Sequence, residues 1–507
     1  MSVQYPRLVL ATVIGLAILL SACQTASDSR EGQAPAPLLL ISIDGFRHDY
    51  IEQFDSPTVD RLIEEGLYAD SLHHAFPTKT FATHYTLVTG RHPGTHGVVA
   101  NNIWDPRRKS RFSLGDREAV NDGFWYSGGE PIWVTAEQQG LTAATYFWPG
   151  SEAIIDRTRP THFKPYDGRV PHEERIDQIV DWLALPDAER PDFLTLYFSS
   201  VDSRGHGSGP AAPATLAAAE EIDTQLGRLL EELEAMDMLG KINILLVSDH
   251  GMSEVSPERT IALDEYIDLS KVHVSDWGPA AQIWAGEMEP AEIVAALADA
   301  PHLRAWQRED IPDRYHFDSH YRVPDVLVEA DPGWLISSKP YMANPNPPRG
   351  MHGWDPALAE MHGIFIARGP GFVPGARSPA MRSIDVYALM THLLDLDPAD
   401  HEGRLQTFLP YLESDRAPAY QVARFECEAG AVEARIGPAH MSLHFGEHIF
   451  VLDRVEDAVD RFEATDLSFE IDDQRASGRV DGTELGECVR ADAGRIRRPG
   501  TDQTPSH

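Results

Sequence analysis

"LLLISIDG", Leu38–Gly45, is an unbroken apolar run that stops on an acid and a glycine. A strand buried on both faces reads as such a run, because no side of it needs to be polar. The shape recurs in "DFLTLYFSS" (192–200), which leads to Asp202 and His206, and in "INILLVS" (242–248), which leads to Asp249 and His250. "DVLVEA" (325–330) and "GIFIA" (363–367) have the same texture and are expected as further parallel strands. Helical stretches alternate with these runs. One is 57–66, closed by Gly66; another is 211–236, with Ile222, Leu226, Leu229 and Leu233 on one stripe. Strand–helix alternation predicts an α/β sandwich with a mostly parallel central sheet and helices on both faces. Ligands of such sheets sit at the carboxyl ends of the strands.

The polar residues fall at those ends. A single loop of Ser, Gly and Asp is usually only a turn. Here the tips carry Asp44, Asp202, His206, Asp249 and His250, and a Gly/Trp loop adds His352. Mixed carboxylate and imidazole donors suit zinc better than magnesium or calcium, which favour oxygen alone. The set is large enough for two zinc ions if a hydroxyl completes one shell. A metal also lowers the pKa of a bound hydroxyl. "PTKTFATHYTLVTG" (77–90) offers two such groups, Thr78 and Thr80, with a helix expected from Thr80 to Val88. A helix start presents free N–H groups and a positive dipole end to a phosphate.

The chain has 507 residues and a formal net charge of −36. The length allows two or three domains and a large core. The charge argues against non-specific nucleic-acid binding, which needs a basic surface. An anionic substrate would need a local positive centre, and metal ions are one source.

Arg7 precedes an apolar run, Leu8–Leu20, too short to span a bilayer comfortably and shaped like a signal peptide. It ends "LSAC" (20–23), which resembles the bacterial lipobox. That resemblance implies cleavage after residue 22 and a lipid on Cys23, anchoring the chain to a membrane without a transmembrane helix. Gln24 points to the outer membrane, facing the periplasm. Residues 23–36 then form a tether, 37–415 the main domain, 420–493 a small β domain and 494–507 a disordered tail. Cys427 and Cys488 remain. In an exported chain they are expected to pair and staple the C-terminal unit; two separate buried thiols are the alternative.

Taken together, "SIDGFRHDY", "PTKTFATHYTLVTGRHPGTHGVVANNIWDP", "FWPGSE", "VDSRGHGSGP", "SDHGM" and "GMHGWD" resemble the motif series of the nucleotide pyrophosphatase/phosphodiesterase family, in the alkaline phosphatase superfamily. "PHEERID" and "MHGIFIARGPGF" support it. The resemblance runs in order over about 36–415. It implies an alkaline-phosphatase-like fold and two zinc ions. Asp202, His206 and His352 match the ligands of one. Asp44, Asp249 and His250 match those of the other, with Thr80 as nucleophile completing the shell and Thr78 shaping the turn. Asn101 matches a donor to a phosphate oxygen, with the adjacent Asn102 competing; a backbone N–H at Thr80 or Phe81 would assist. Phe81, Tyr166 and Tyr197 resemble walls of a nucleobase slot, core packing being the other reading. Attack by Thr80 would give a threonyl-phosphate and release a nucleoside monophosphate. Ala82-Thr83 departs from the family's Pro-Asn and puts the packing of the helix start in doubt.

The segment 425–491, with "FECEAG", "RASGRVDG" and "GECVRA", weakly resembles the membrane-bound C-type lysozyme inhibitor domain, which would make lysozyme a partner. Other functions stay open: a phosphomonoesterase, phosphonate or lipid phosphodiester hydrolase of the same superfamily, or an envelope binding protein acting through its C-terminal domain. Thr80 and Asn101 argue against a true alkaline phosphatase with Ser and an Arg clamp, and no sulfatase Cys/Ser-x-Pro-x-Arg is present.

Overall fold

The structure, a computed structural model, describes residues 35–491 apart from 343, 413–416, 456, 457, 459 and 473. The expected signal peptide, Cys23, nearly all of the tether and the C-terminal tail lie outside the described residues.

The central sheet is built from β1 (Leu38–Ile43), β2 (Leu67–His73), β3 (Ala143–Tyr146), β4 (His162–Lys164), β5 (Phe193–Phe198), β6 (Asn243–Val247), β7 (Gly363–Arg368) and β8 (Ala376–Ser378). Their order is β8-β2-β7-β6-β1-β5-β3-β4, with Met381–Arg382 also pairing β2. β1 lies at the centre, parallel to both β5 and β6. Every residue of β1 is buried. Leu38 and Leu40 face one core, Leu39, Ile41 and Ile43 the other, which is why the strand reads as unbroken apolar sequence.

Helices cover both faces: α1 (Pro57–Glu65), α2 (Thr80–Thr89), α3 (Ile132–Gln138), α4 (His172–Leu183), α5 (Ser200–Ser208), α6 (Pro213–Ala235) and α7 (Val386–Leu393). α1, α4 and α6 pack on the face of Ile41, the last through Ile222, Leu226, Leu229 and Leu233. α2, α3 and α7 pack on the face of Leu40. Burying each of these aliphatic side chains is worth roughly 1.5–3 kcal/mol.

Two of the expected parallel strands are placed differently. β7, the "GIFIA" run, is antiparallel to both β6 and β2. Residues 326–330 leave the central sheet and join an antiparallel one with His273–Asp276, Ala280–Trp284 and Leu303–Gln307. A buried apolar run shows that a strand is covered on both faces. It carries neither direction nor partner.

From Gln421 onward the chain forms a nine-stranded antiparallel sheet. It closes into a barrel by pairing Leu467–Asp472 with Arg475–Val480. Phe425, Leu443, Leu452, Phe462 and Phe469 fill its core. Cys427 and Cys488 are bridged across paired strands. The barrel docks on the segment just after His352: Ala359 N–H donates to Glu447 O at 2.9 Å, and Ile449 N–H to Ala357 O at 2.7 Å. Among the described residues no helix is long and apolar enough to cross a membrane.

Candidate metal and phosphoryl-transfer site

β1 leads into Asp44, β6 leads into Asp249 and His250, and α5 starts two residues after the last residue of β5. α5 places Asp202 and His206 four residues apart, on one face, with His206 Nε2 3.2 Å from Asp202 Oδ1. The sequence showed this stretch only as a Ser/Gly loop. His352 arrives from the segment between Gly350–Met351 and the barrel contact. Its ring stacks on His250 with centroids 3.4 Å apart.

Each imidazole is fixed from behind. The Nδ1 atoms of His206, His250 and His352 lie 2.8 Å from the carbonyls of Gly350, Gly251 and Thr78. Donation from Nδ1 leaves the Nε2 lone pair for the site, the arrangement that orients metal-binding histidines. His250 Nε2 lies 3.1 Å from Asp249 Oδ2, 3.4 Å from Asp44 Oδ1 and 3.3 Å from Thr80 Oγ1.

The carboxylates are the stronger sign. Asp44 Oδ1, Asp202 Oδ1 and Asp249 Oδ2 are buried and make no hydrogen bond. A buried, unpaired carboxylate oxygen is costly. Burial, then the Asp249 and Asp202 charges, push Asp44 well above the usual carboxylate range. Burial and the neighbouring His250 hold His352 well below the usual imidazole range, in the form that binds metal. Asp202, His206 and His352 form one group with donor atoms within 4.8 Å of one another, and Asp44, Asp202 and His250 another. Asp202 is common to both. Asp249, expected in the second set, stands beside it against His250. The orphaned oxygens and the fixed Nε2 atoms fit resident metal ions.

The two threonines separate on geometry. Thr78 Oγ1 donates to Trp354 O and accepts from Gly353 N–H, both at 3.0 Å, and is fully buried. It holds the His352 loop. Thr80 is half-buried at the start of α2, with its hydroxyl towards His250. The asparagines separate too. Asn102 Nδ2 donates to Asp276 at 2.9 Å. Asn101 Oδ1 accepts the Phe81 N–H at 2.9 Å, which engages that N–H and leaves Asn101 Nδ2 as its donor.

Residues 38–355 match the family model described as type I phosphodiesterase/nucleotide pyrophosphatase. Human ectonucleotide pyrophosphatase/phosphodiesterase family member 5 is 36% identical over 370 residues, 72% of this chain and 76% of that protein. The chain belongs to this family. A venom phosphodiesterase of Crotalus durissus collilineatus is 37% identical over 391 residues, 75% of this chain and 46% of the snake protein. This chain thus spans about half the length of the venom relatives it matches. Among solved structures, human ectonucleotide pyrophosphatase/phosphodiesterase 5 has a TM-score of 0.72 at 35% identity, covering 75% of this chain and all of that one. The murine counterpart, in an inactive threonine-to-alanine form in complex with AMP, has 0.71 at 33%, covering 75% of this chain and all of that one.

The residues resembling the family's aromatic slot have different surroundings. Phe81 is half-buried with its edge on Phe112, ring centroids 5.2 Å apart. Tyr166 is 41% exposed. Tyr197 is buried, its hydroxyl donating to Asp44 Oδ2, so it also fixes a carboxylate of the candidate metal group. At the family departure, Thr83 Oγ1 donates to Lys79 O at 2.9 Å inside an intact first turn.

Three neighbours escaped the sequence reading. His84, one turn after Thr80, contacts Thr80 O at 2.8 Å and lies 3.2 Å from Asp249 Oδ2. Its signal was the four-residue spacing from Thr80. Lys79 pairs with Asp276, which also takes Asn102. Asp276 therefore ties the residue before Thr80 to the residue after Asn101. It lies far away in sequence and carried no local signal.

Proposed function

We propose that the chain is a zinc-dependent nucleotide pyrophosphatase/phosphodiesterase that cleaves nucleotide diesters or pyrophosphates and releases a nucleoside monophosphate. The observation that carries this reading is the Thr80 hydroxyl beside His250 among buried carboxylate oxygens that make no hydrogen bond and face imidazoles.

Asp202, His206 and His352 would hold one ion; Asp44, Asp249 and His250, with Thr80, the other. Bound zinc supplies positive charge for the phosphate and lowers the pKa of the threonine hydroxyl. Thr80 Oγ1 would lose its proton and attack phosphorus; its O–P bond forms as the bond to the second arm breaks, that arm departs taking up a proton, and the nucleoside phosphate left on Thr80 is released by water as the nucleoside monophosphate. Asn101 Nδ2 and the Thr80 N–H donate to a non-bridging oxygen as charge develops there. The α2 dipole favours the same charge. Phe81 and Tyr166 receive the nucleoside, and Tyr197 and His84 keep Asp44 and Asp249 oriented. The chain would be exported and lipid-anchored through Cys23; labelling with palmitate, lost in Cys23→Ala, tests that.

Purified protein is expected to hydrolyse p-nitrophenyl thymidine 5′-monophosphate far faster than p-nitrophenyl phosphate. A chelator should abolish that activity and zinc restore it. A preference for the monoester would overturn the diesterase reading.

A further inference from the structure

Between the central-sheet domain and the barrel lies a cavity of about 340 Å3. Segments 73–76, 314–316, 356–357 and 382–385 wall it on one side, and residues of 450–453 and 464–467 in the barrel on the other. None of the candidate metal ligands is in this wall, nor is Thr80. Much of the wall lies beyond residues 38–355, the part that matches the family model.

Its carboxylates are already satisfied. Asp453 accepts Arg382 Nη2 at 2.8 and 3.0 Å and Arg404 Nη1 at 2.8 Å. Asp385 accepts the Arg404 N–H at 2.8 Å and the Thr407 hydroxyl at 3.0 Å. Glu402 accepts the His92 N–H at 2.8 Å and the Thr95 hydroxyl at 3.1 Å. The donors are not. Among the described residues Arg382 uses Nε and Nη2 and keeps Nη1, while Arg404 uses Nη1 and keeps Nε and Nη2. Ser383 Oγ and both ring nitrogens of His74 are buried without a hydrogen bond, in residues 0% and 1% exposed. An imidazole carries at least one N–H in either charge state. Leaving such groups unpaired is costly.

A wall with its acceptors spent and N–H and O–H groups left over calls for a ligand that accepts. Phosphate oxygens do so, and free guanidinium edges suit them. The volume is at the lower end of ligand pockets, about 300–1,000 Å3, as a small anion requires. The imidazoles here are not a metal centre: among the described residues, the groups that could hold an ion lie at the sheet end. In a chain of net charge −36, this wall sets three arginines against three carboxylates. We infer that the seam cavity is a phosphate site separate from the metal site, taking inorganic phosphate or the phosphate group of a small monoester on Arg382, Ser383 and Arg404.

The test is equilibrium dialysis of the full chain against labelled inorganic phosphate, zinc-loaded and again after zinc has been stripped and the chelator removed. The seam site is expected to persist without zinc. Arg404→Gln with Ser383→Ala should weaken it about 10- to 100-fold. The same variant should leave unchanged the Ki of phosphate against p-nitrophenyl thymidine 5′-monophosphate hydrolysis. Arg404 is 44% exposed and the Ser383 hydroxyl has no partner, so the variant is expected to fold, which a melt checks. Displacement of the label by thymidine 5′-monophosphate would show that a monoester is accepted; displacement by unlabelled phosphate alone would confine the site to the free ion. Binding seen only in the zinc-loaded protein overturns the inference, as does zinc-independent binding undiminished in the folded variant.

Discussion

At the carboxyl end of the central sheet, Asp44 Oδ1, Asp202 Oδ1 and Asp249 Oδ2 are buried with no hydrogen bond. At the seam between that domain and the barrel, carboxylates are treated otherwise. Asp453 accepts Arg382 and Arg404, and Asp70 accepts Arg435 and Tyr420. Folding alone favours the second arrangement, because an unpaired buried carboxylate is destabilising. The sheet end instead sets its oxygens against the Nε2 atoms of His206 and His250, a donor set suited to a cation. The barrel carries its own staple and its own core.

Four experiments bear on that contrast. Thr80→Ala is expected to lower kcat by on the order of 10⁴-fold, with zinc content retained. Thr78→Ala should instead cost roughly 1–3 kcal/mol of stability, by freeing the Trp354 and Gly353 backbone groups. If Thr78→Ala abolishes turnover and Thr80→Ala does not, the roles are reversed. Cys427→Ser with Cys488→Ser should destabilise the barrel by about 2–4 kcal/mol in a denaturant melt while kcat stays within about two-fold. A large fall in kcat would show that the barrel contact after His352 shapes the site. Asp276→Ala should lower kcat about 10–100-fold at unchanged zinc content, since it releases both Lys79 and Asn102. An unaltered kcat would mean that α2 and Asn101 hold their places without it.

The smallest effect concerns Glu329, which accepts the Asp355 N–H at 3.0 Å and the Tyr315 hydroxyl at 2.9 Å. Burial, with the Asp355 charge beside it, pushes Glu329 up to about 7. The folded protein therefore holds a proton that the unfolded chain releases near 4.5. The contribution is full below about 4.5 and is lost as pH rises through 7. Between pH 5 and 8 the native enzyme should lose roughly 1–3 kcal/mol relative to Glu329→Gln in parallel melts. Equal slopes would place the ionised form in the folded state.

The layered α/β core was legible because β1, β5 and β6 are covered on both faces and read as apolar runs. Asp44, Asp249, His250 and His352 stood out because each follows a strand and lies beside or one residue from a glycine, whereas Asp202 and His206 sit within α5. The direction of β7 and the removal of 326–330 to another sheet were not, since periodicity is the same in either case. α5 was hidden by Ser and Gly, weak helix formers held in place here by packing, Gly205 lying against Met252.

The sequence alone pointed to the groups that meet at the sheet end, because the apolar runs 38–43, 192–200 and 242–248 each lead into Asp or His residues. It also determined the barrel's texture and the two cysteines available to bridge it. The family resemblance favoured Thr80 and Asn101, and tertiary structure supplies the physical difference between them and their neighbours. Thr78 and Asn102 have the same chemistry as Thr80 and Asn101, but Trp354, Gly353 and Asp276, distant in sequence, use up their hydrogen bonds. Thr80 and Asn101 differ in that their partners, His250 and the Phe81 N–H, belong to the site itself.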